Sequence, residues 1–572
     1  MAYQVAKLAA EKQDFIRSEA AAVNFYGKRI RQSKLDAAGS IATAFNDKFG
    51  MVIDTADLVQ WLEANRPPAP EKKKRERIEK EDTRPISGGK FNSSTDEWET
   101  LKGNAWLVTC VQNNTDVNIP ALRSLEKYAE YLGAEIIAMP SYYNKKGYQS
   151  ANKDNKDEVY FDTEIKKYLR EESCFLGNDK LAFVAANIRP TVAAPLSGKR
   201  AAMIPVTTDI GIFPHVKIAA QTLPVAKGRT VREMYTTGAV TLRNYIQNDA
   251  GQKAESSHCY GGMIVTLDDN GVHHVRHIQV MADDGVFFDV IDGNVIKVSP
   301  SGVTAAGDVV AALQLGDIHA EKLDNVCAAA SWGNGGLLDV LRAKKVLVHD
   351  AHDFTSRNHH NRNNADFLYQ QYLQNRSVLD DINDTAKVLL DIQRDGYGHP
   401  VIIESNHDLA LSRWLTDGDV RIMYDPANIQ LYHYLNYSKF DYMKECHEQG
   451  RENDFSALEF AIMKVSDYGG MINATWLRVD ESYIVAGIEC GTHGHTGANG
   501  SRGTPKQFAN QGIPMCTGHT HSPSIIDGVY TAGVCGLEMG YNIGASSWSQ
   551  THTVIYENGQ RQLLHFRNGS FY

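Results

Sequence analysis

The chain has 572 residues, 42% of them hydrophobic and 22% charged, values of a soluble globular protein with room for about two to four domains. Its net charge of -10 excludes a global electrostatic pull toward nucleic acid, so contact with a polyanion must come from a local basic patch or from metal ions that offset acidic ligands. No apolar run approaches the ~20 residues of a membrane helix, the start MAYQVAKLAAEKQDF lacks the apolar core of a secretory signal, and eight scattered cysteines form no CxxC pair; these predict a cytoplasmic chain with reduced thiols, no membrane partner and no cysteine zinc site.

Residues 1–65 read as helical. SKLDAAGSIATAFNDKFG carries apolar residues at helical spacing, with Ser33 as a candidate cap and Gly50 as a stop, and TADLVQWLEAN follows as a second helix capped by Thr55. Two short helices around a turn fit a helical hairpin or a helix-turn-helix DNA reader. Residues 66–99, Pro-containing and dense in charge, read as a linker whose basic run Lys72 to Arg77 could meet phosphates, although acidic residues interleave with it.

Residues 100–304 predict a mixed α+β accessory domain. AWLVTCVQ, IPALRSLEKYAEYLG and AEIIAMP read as strand, helix and strand; KLAFVAANI and RAAMIPVTT as further strands. From 258 to 300, short apolar runs alternate with DDNG, DDG and DGN turns, a hairpin pattern. Residues 305–572 again alternate strands and helices, and there the polar residues become informative. ALQLGDIHAEKLD places Asp317 and His319 after an apolar strand. Asp350 follows KKVLV, Asn406-His407-Asp408 follows VIIE, His493 and His495 follow SYIVAGIEC, and His519 and His521 follow IPMCT. One DxH is common by chance; five His/Asp/Asn clusters at successive strand ends are not, because the C-terminal strand ends of α/β sheets converge on a ligand crevice. Two divalent ions need this number of ligands, and Asp, Asn and His without Cys favour Mn²⁺, Fe²⁺ or Zn²⁺ over an all-oxygen Mg²⁺ or Ca²⁺ site.

The order D-x-H, Asp, N-H-D, His, G-H-x-H resembles the calcineurin-like metallophosphoesterase superfamily over roughly the last 270 residues. The resemblance implies an α/β fold in which a C-terminal β-sandwich flanked by helices spans 305–572. It implies one ion held by Asp317, His319, Asp350 and His521, and a second sharing Asp350 and adding Asn406, His493 and His519. His407 would protonate the leaving oxygen, and Asp408 would hold its imidazole. Here His349 and Ser405 stand where the family favours glycine. His352 is a further catalytic candidate, with His359 and His360 as alternatives; His493 is taken before His495 because it comes first after its strand. Arg413 and Arg502, the latter within GANGSRGTP, are candidate phosphate contacts. The whole layout is similar to phage-encoded metallophosphoesterases of the host-DNA-degrading kind found in T5-like phages. That implies a metal-dependent DNase acting on DNA, with two divalent ions, Mn²⁺ foremost and Fe²⁺, Zn²⁺ or Mg²⁺ as alternatives. A phosphatase or small-molecule phosphodiesterase, a DNA-binding scaffold with a secondary metal site, and self-association as a homo-oligomer stay open.

Overall fold

The computed structural model describes residues 4–22, 31–65, 98–143, 159–358, 364–540 and 542–571, in two compact units, Met1–Lys90 and Phe91–Tyr572. The expected basic run Lys72 to Arg77, with His359 and His360, lies outside the described residues.

The first unit is helical, as its periodicity predicts. Helices Ala10–Ala22, Arg31–Phe49 and Thr55–Ala64 bury Ile16, Ile41, Phe45, Leu58 and Leu62 against one another. Gly50 ends the second helix in the left-handed region at φ 63°, a conformation that favours glycine. Two expected caps move. Ser33 lies inside a helix that begins at Arg31, and Asp54 rather than Thr55 caps the third helix by accepting from the Asp57 amide. A carboxylate at this position also meets the positive end of the helix dipole.

The second unit is α/β. A six-stranded sheet carries the polar clusters of the C-terminal half. Strands Thr475–Leu477, His399–Ile403, Lys345–His349 and Val310–Gln314 run parallel in that spatial order; Thr551–Tyr556 pairs antiparallel to Val310–Gln314, and Arg561–His565 closes the edge. Side chains alternate between its faces as the strand period requires. Val346, Val348, Ile402 and Val554 pack with the helical residues Leu338, Ile382, Leu389, Leu411 and Trp414. Leu347, Val401, Ile403 and Ile555 pack instead against Ile488, Cys516, Ile525 and Tyr530 of an eleven-stranded sheet. The six-stranded sheet is thus layered between helices and a second sheet.

The eleven-stranded sheet runs across the boundary expected near residue 304, since Ala220–Leu223 pairs with Ser524–Ile526. Residues 100–304 and 305–572 therefore share a sheet and are not separate bodies. The expected β-α-β start is present as Ala105–Gln112, Ile119–Leu132 and Glu135–Ser141, and the DDNG turn joins Gly261–Leu267 to His273–Gln279. RAAMIPVTT is not a strand: Arg200–Met203 is a 3-10 turn, and Pro205 could not donate to a ladder. SYIVAGIEC is a hairpin of Ile484–Val485 and Ile488–Glu489, turned at Ala486 and Gly487, both at positive φ.

A buried ionic knot also crosses that boundary. The Asp289 carboxylate accepts from Arg276 Nε at 2.8 Å and from Gln562 Nε2 at 2.8 Å, and meets the Tyr128 hydroxyl. Arg276 and Asp289 are both fully buried. Removing one partner leaves an uncompensated charge in the core, so Asp289→Ala is expected to destabilise the chain by ~3–5 kcal/mol. A denaturant midpoint unchanged from wild type would contradict this.

Candidate metal centre

Register brings the clusters together. Gln314 pairs with Leu347, and His349 with Ile403, so the chain leaves three parallel strands at one edge of the six-stranded sheet. Asp317 and His319 follow the first strand, Asp350 the second, and Asn406, His407 and Asp408 the third. The loops stay bonded beyond the strands: His319 N donates to Asp350 O at 2.7 Å and Ile318 N to His349 O at 3.1 Å. In the facing sheet, Ile488–Glu489 and Met515–Thr517 are parallel neighbours and lead into His493 and into Gly518-His519-Thr520-His521. Gly518 N donates to His493 O at 2.7 Å, which ties these two loops. Ends of strands from both sheets therefore meet in one place.

The side chains converge closely. His521 Nε2 lies 3.2 Å from Asp317 Oδ2, 3.2 Å from His319 Nε2 and 4.0 Å from Asp350 Oδ2. His319 Nε2 is 3.4 Å from Asp350 Oδ2, and His493 Nε2 is 3.4 Å from Asp350 Oδ1. One donor atom from each of Asp317, His319, Asp350 and His521 falls within 4.8 Å of every other. All four residues are buried. Asp317 Oδ1, both Asp350 oxygens, Asn406 Oδ1 and His493 Nε2 have no hydrogen-bond partner among the described residues. Buried polar atoms are normally partnered, so a cluster of lone pairs without donors fits a cation. The backbone agrees: His319, Asp350, His519 and His521 all take positive φ, from 43° to 72°, strain that non-glycine residues carry at sites where geometry is imposed.

The charges are arranged for the same end. Burial pushes Asp350 up, but His493, His407, His521 and His319 outweigh it and hold the carboxyl well below its ordinary range. Asp317 is likewise held down, burial being overcome by His521 and His493. Burial keeps His493 neutral, its pKa lowered to about 3, which leaves a lone pair for a metal. His407 goes the other way. Burial disfavours its charged form, yet Asp350 and Asp353 raise it to about 9, so it is held protonated. Its Nδ1 lies 2.9 Å from Asp353 Oδ1.

Asp353 is the residue that sequence reasoning missed. Its Oδ1 also meets His319 Nδ1 at 3.1 Å, so a single carboxylate orients both imidazoles. Asp408, expected to hold His407, instead accepts from the His352 and Ser405 amides at 3.0 and 3.1 Å. Ser405, where the resemblance favours glycine, has its own use: its hydroxyl accepts from the His407 and Asp408 amides, each at 3.1 Å. His352 is buried with Nδ1 2.9 Å from Thr385 Oγ1 and 3.3 Å from Glu321 Oε1, behind the ligand cluster. His349 packs between Gln314 Nε2 at 3.2 Å and His493 Nδ1 at 3.4 Å. The His519 ring lies 5.3 Å from the His493 ring and its amide donates to Asp317 Oδ2 at 2.7 Å; the His495 ring is 5.4 Å from His493. Trp548, which no motif indicated, sets its ring 4.4 Å from His521. Arg413 and Arg502 are exposed at the rim. Arg413 donates to Asn406 O at 2.6 Å and acts on His495 electrostatically, as Arg502 does on His519.

Gly518 makes the cluster sterically closed. A Cβ there would stand 2.3 Å from Asp317 Oδ1 and 3.3 Å from the His349 ring. Gly518→Ala must displace the carboxylate, and a disturbance of this kind beside a ligand typically lowers metal affinity roughly 10–100-fold. Calorimetric metal titration of a normally folded variant checks this; unchanged affinity would mean that Asp317 is not a ligand.

Compared with known proteins, the chain is 46% identical to Protein A1 of Escherichia phage T5 over 575 aligned positions, which cover 99% of this chain and 100% of that protein. No family model and no solved structure matches it.

Proposed function

Starting from a chain that belongs to the family of phage T5 Protein A1, we propose that it is a metal-dependent DNA nuclease, hydrolysing phosphodiester bonds in the cytoplasm of an infected bacterium. The observation that carries this reading is the set of buried lone pairs without donors on Asp317, Asp350, Asn406 and His493, gathered at strand ends of two facing sheets. Two carboxylates, an amide oxygen and several imidazoles form a donor set for divalent transition ions, with Mn²⁺ foremost. Asp317, His319, Asp350 and His521 would hold one ion, and Asp350, Asn406, His493 and His519 the second. The helix–sheet–sheet layering and the order of the motifs support assignment to the metallophosphoesterases. Among the described residues no helix is long and apolar enough to cross a membrane.

Bound divalent ions supply Lewis acidity toward phosphate oxygens and lower the pKa of water. The chain's own groups do the rest. Asp353 favours the protonated form of His407, and with Nδ1 facing that carboxylate, proton delivery to the leaving oxygen would fall to Nε2. Asp408 and Ser405 fix the turn that carries His407 through backbone amides. Arg413 and Arg502, exposed and acting on His495 and His519, would meet phosphates of the substrate. The test is incubation of the purified chain and Mn²⁺ with linear DNA, circular DNA and an aryl phosphodiester. Loss of linear and circular DNA is expected. Turnover of the aryl ester with both DNAs intact would replace the reading with a small-molecule phosphodiesterase; DNA retained without any turnover would replace it with a scaffold.

A further inference from the structure

Behind the Asp317 loop lies a second cluster that the proposed reaction does not use. Cys327, on helix Asn325–Trp332, Cys535 and His552 are all buried, and one donor atom from each lies within 4.8 Å of the others. A Cys₂His set suggests a zinc site, but the hydrogen bonds argue against one. The Gly316 amide donates to His552 Nδ1 at 2.9 Å. Ser331 Oγ donates to Cys327 O at 2.6 Å, so at 2.7 Å from His552 Nε2 it can only accept a proton from that nitrogen. The imidazole is then the neutral Nε2–H tautomer with both nitrogens committed, and it offers a metal no lone pair. What remains is a pair of adjacent thiols.

Their surroundings give that pair a consequence. Cys535 N donates to Asp317 O at 2.8 Å, Cys535 Sγ contacts Gly316 O at 3.3 Å, and Asp317 N donates to Gly533 O at 3.0 Å. Gly316 approaches this segment so closely that a Cβ would lie 2.8 Å from Val534 N. Any movement of Cys535 is therefore passed to Asp317.

We propose that Cys327 and Cys535 are a peroxide-oxidisable pair, and that their disulfide is a lock that pulls the Gly316–Asp317 loop out of its metal-binding position. The lock, though not the oxidation itself, rests on the metal-centre reading. The chemistry balances with a peroxide as oxidant. The Cys327 thiolate attacks one peroxide oxygen, the O–O bond breaks, and hydroxide leaves with the thiol proton as water. Cys535 sulfur then attacks the sulfenic sulfur and expels a second water. Two thiols lose two electrons and two protons, and the peroxide takes them up. The second step has a short path, because Cys535 Sγ lies within 4.8 Å of Cys327 Sγ. Closing the sulfurs to the ~2.05 Å of a disulfide takes Cys535 Sγ off Gly316 O.

The test treats the reduced full-length protein with hydrogen peroxide, followed by non-reducing peptide mapping and by Mn²⁺ titration before and after. The expected result is a 327–535 linked peptide, with Mn²⁺ affinity falling roughly tenfold or more, a scale typical of disturbed outer-shell contacts, and restored by a thiol reductant. Cys327→Ser, which leaves the Cys535 contacts with Gly316 and Asp317 in place, is expected to bind Mn²⁺ before peroxide as wild type does and to keep it afterwards. Oxidised protein without the linked peptide would overturn the pair, as would zinc held by the isolated protein and lost in Cys327→Ser. A linked peptide with unchanged Mn²⁺ affinity would overturn the lock. Reduced protein that binds no divalent ion would instead sink the metal centre, and the lock with it, whatever the peptides show.

Discussion

Asp350→Asn is expected to lose both ions, or most of the affinity for them, and to fall to background turnover. Asp350 is the geometric centre of the cluster. Its two oxygens face His319, His493 and His521 at 3.4, 3.4 and 4.0 Å and have no hydrogen-bond donor among the described residues. A carboxylate there can offset charge on two cations at once, whereas an amide turns one of its two atoms into a donor and removes the charge. The change is nearly isosteric, so the fold should stay intact; circular dichroism would confirm that. Metal content by mass spectrometry and anomalous scattering then decides. Two tightly bound ions in the variant would show that Asp350 does not bridge.

The local elements of this fold were legible because short-range physics sets them. AWLVTCVQ, the amphipathic run after Ile119 and the DDNG hairpin each fold as periodicity and turn chemistry dictate. The long-range pairings were not legible. Nothing in the sequence around Ala220 announces that it will pair with Ser524–Ile526, about three hundred residues away, and this pairing merges segments that read as two domains. A chain beginning at residue 301 would leave that edge unpaired and remove Arg276 and Asp289 from beneath Gln562, so it is expected to be unfolded.

At the site, the candidate ligands were legible because each follows a strand and carries a lone pair suited to a metal. The supporting groups were not, since a carboxylate that orients an imidazole has no spacing rule. Asp353 follows His352 and attracted no notice, yet it meets both His319 and His407. Ser405 read as an imperfect glycine, whereas its hydroxyl caps two amides. The thiol pair escaped for the same reason: Cys327 and Cys535 are distant in sequence, with no CxxC to flag them.

His407→Ala is expected to lower turnover of DNA by ~10²–10⁴ while metal content stays near that of wild type. His407 sits beside the candidate ligands with its Nδ1 2.9 Å from Asp353 Oδ1, a contact that orients the ring and leaves Nε2 to carry the proton. The leaving group provides the decisive comparison. A deoxyribose alkoxide is a strong base and needs a proton as it departs; a nitrophenolate does not. The variant should therefore lose far more activity on DNA than on a nitrophenyl phosphodiester. Asp353→Asn should reproduce part of this pattern, since the imidazole would lose the carboxylate that orients it and holds its charge. Equal losses on both esters would mean that His407 binds the phosphate rather than protonating the leaving oxygen, and a halved metal content would make it a ligand after all.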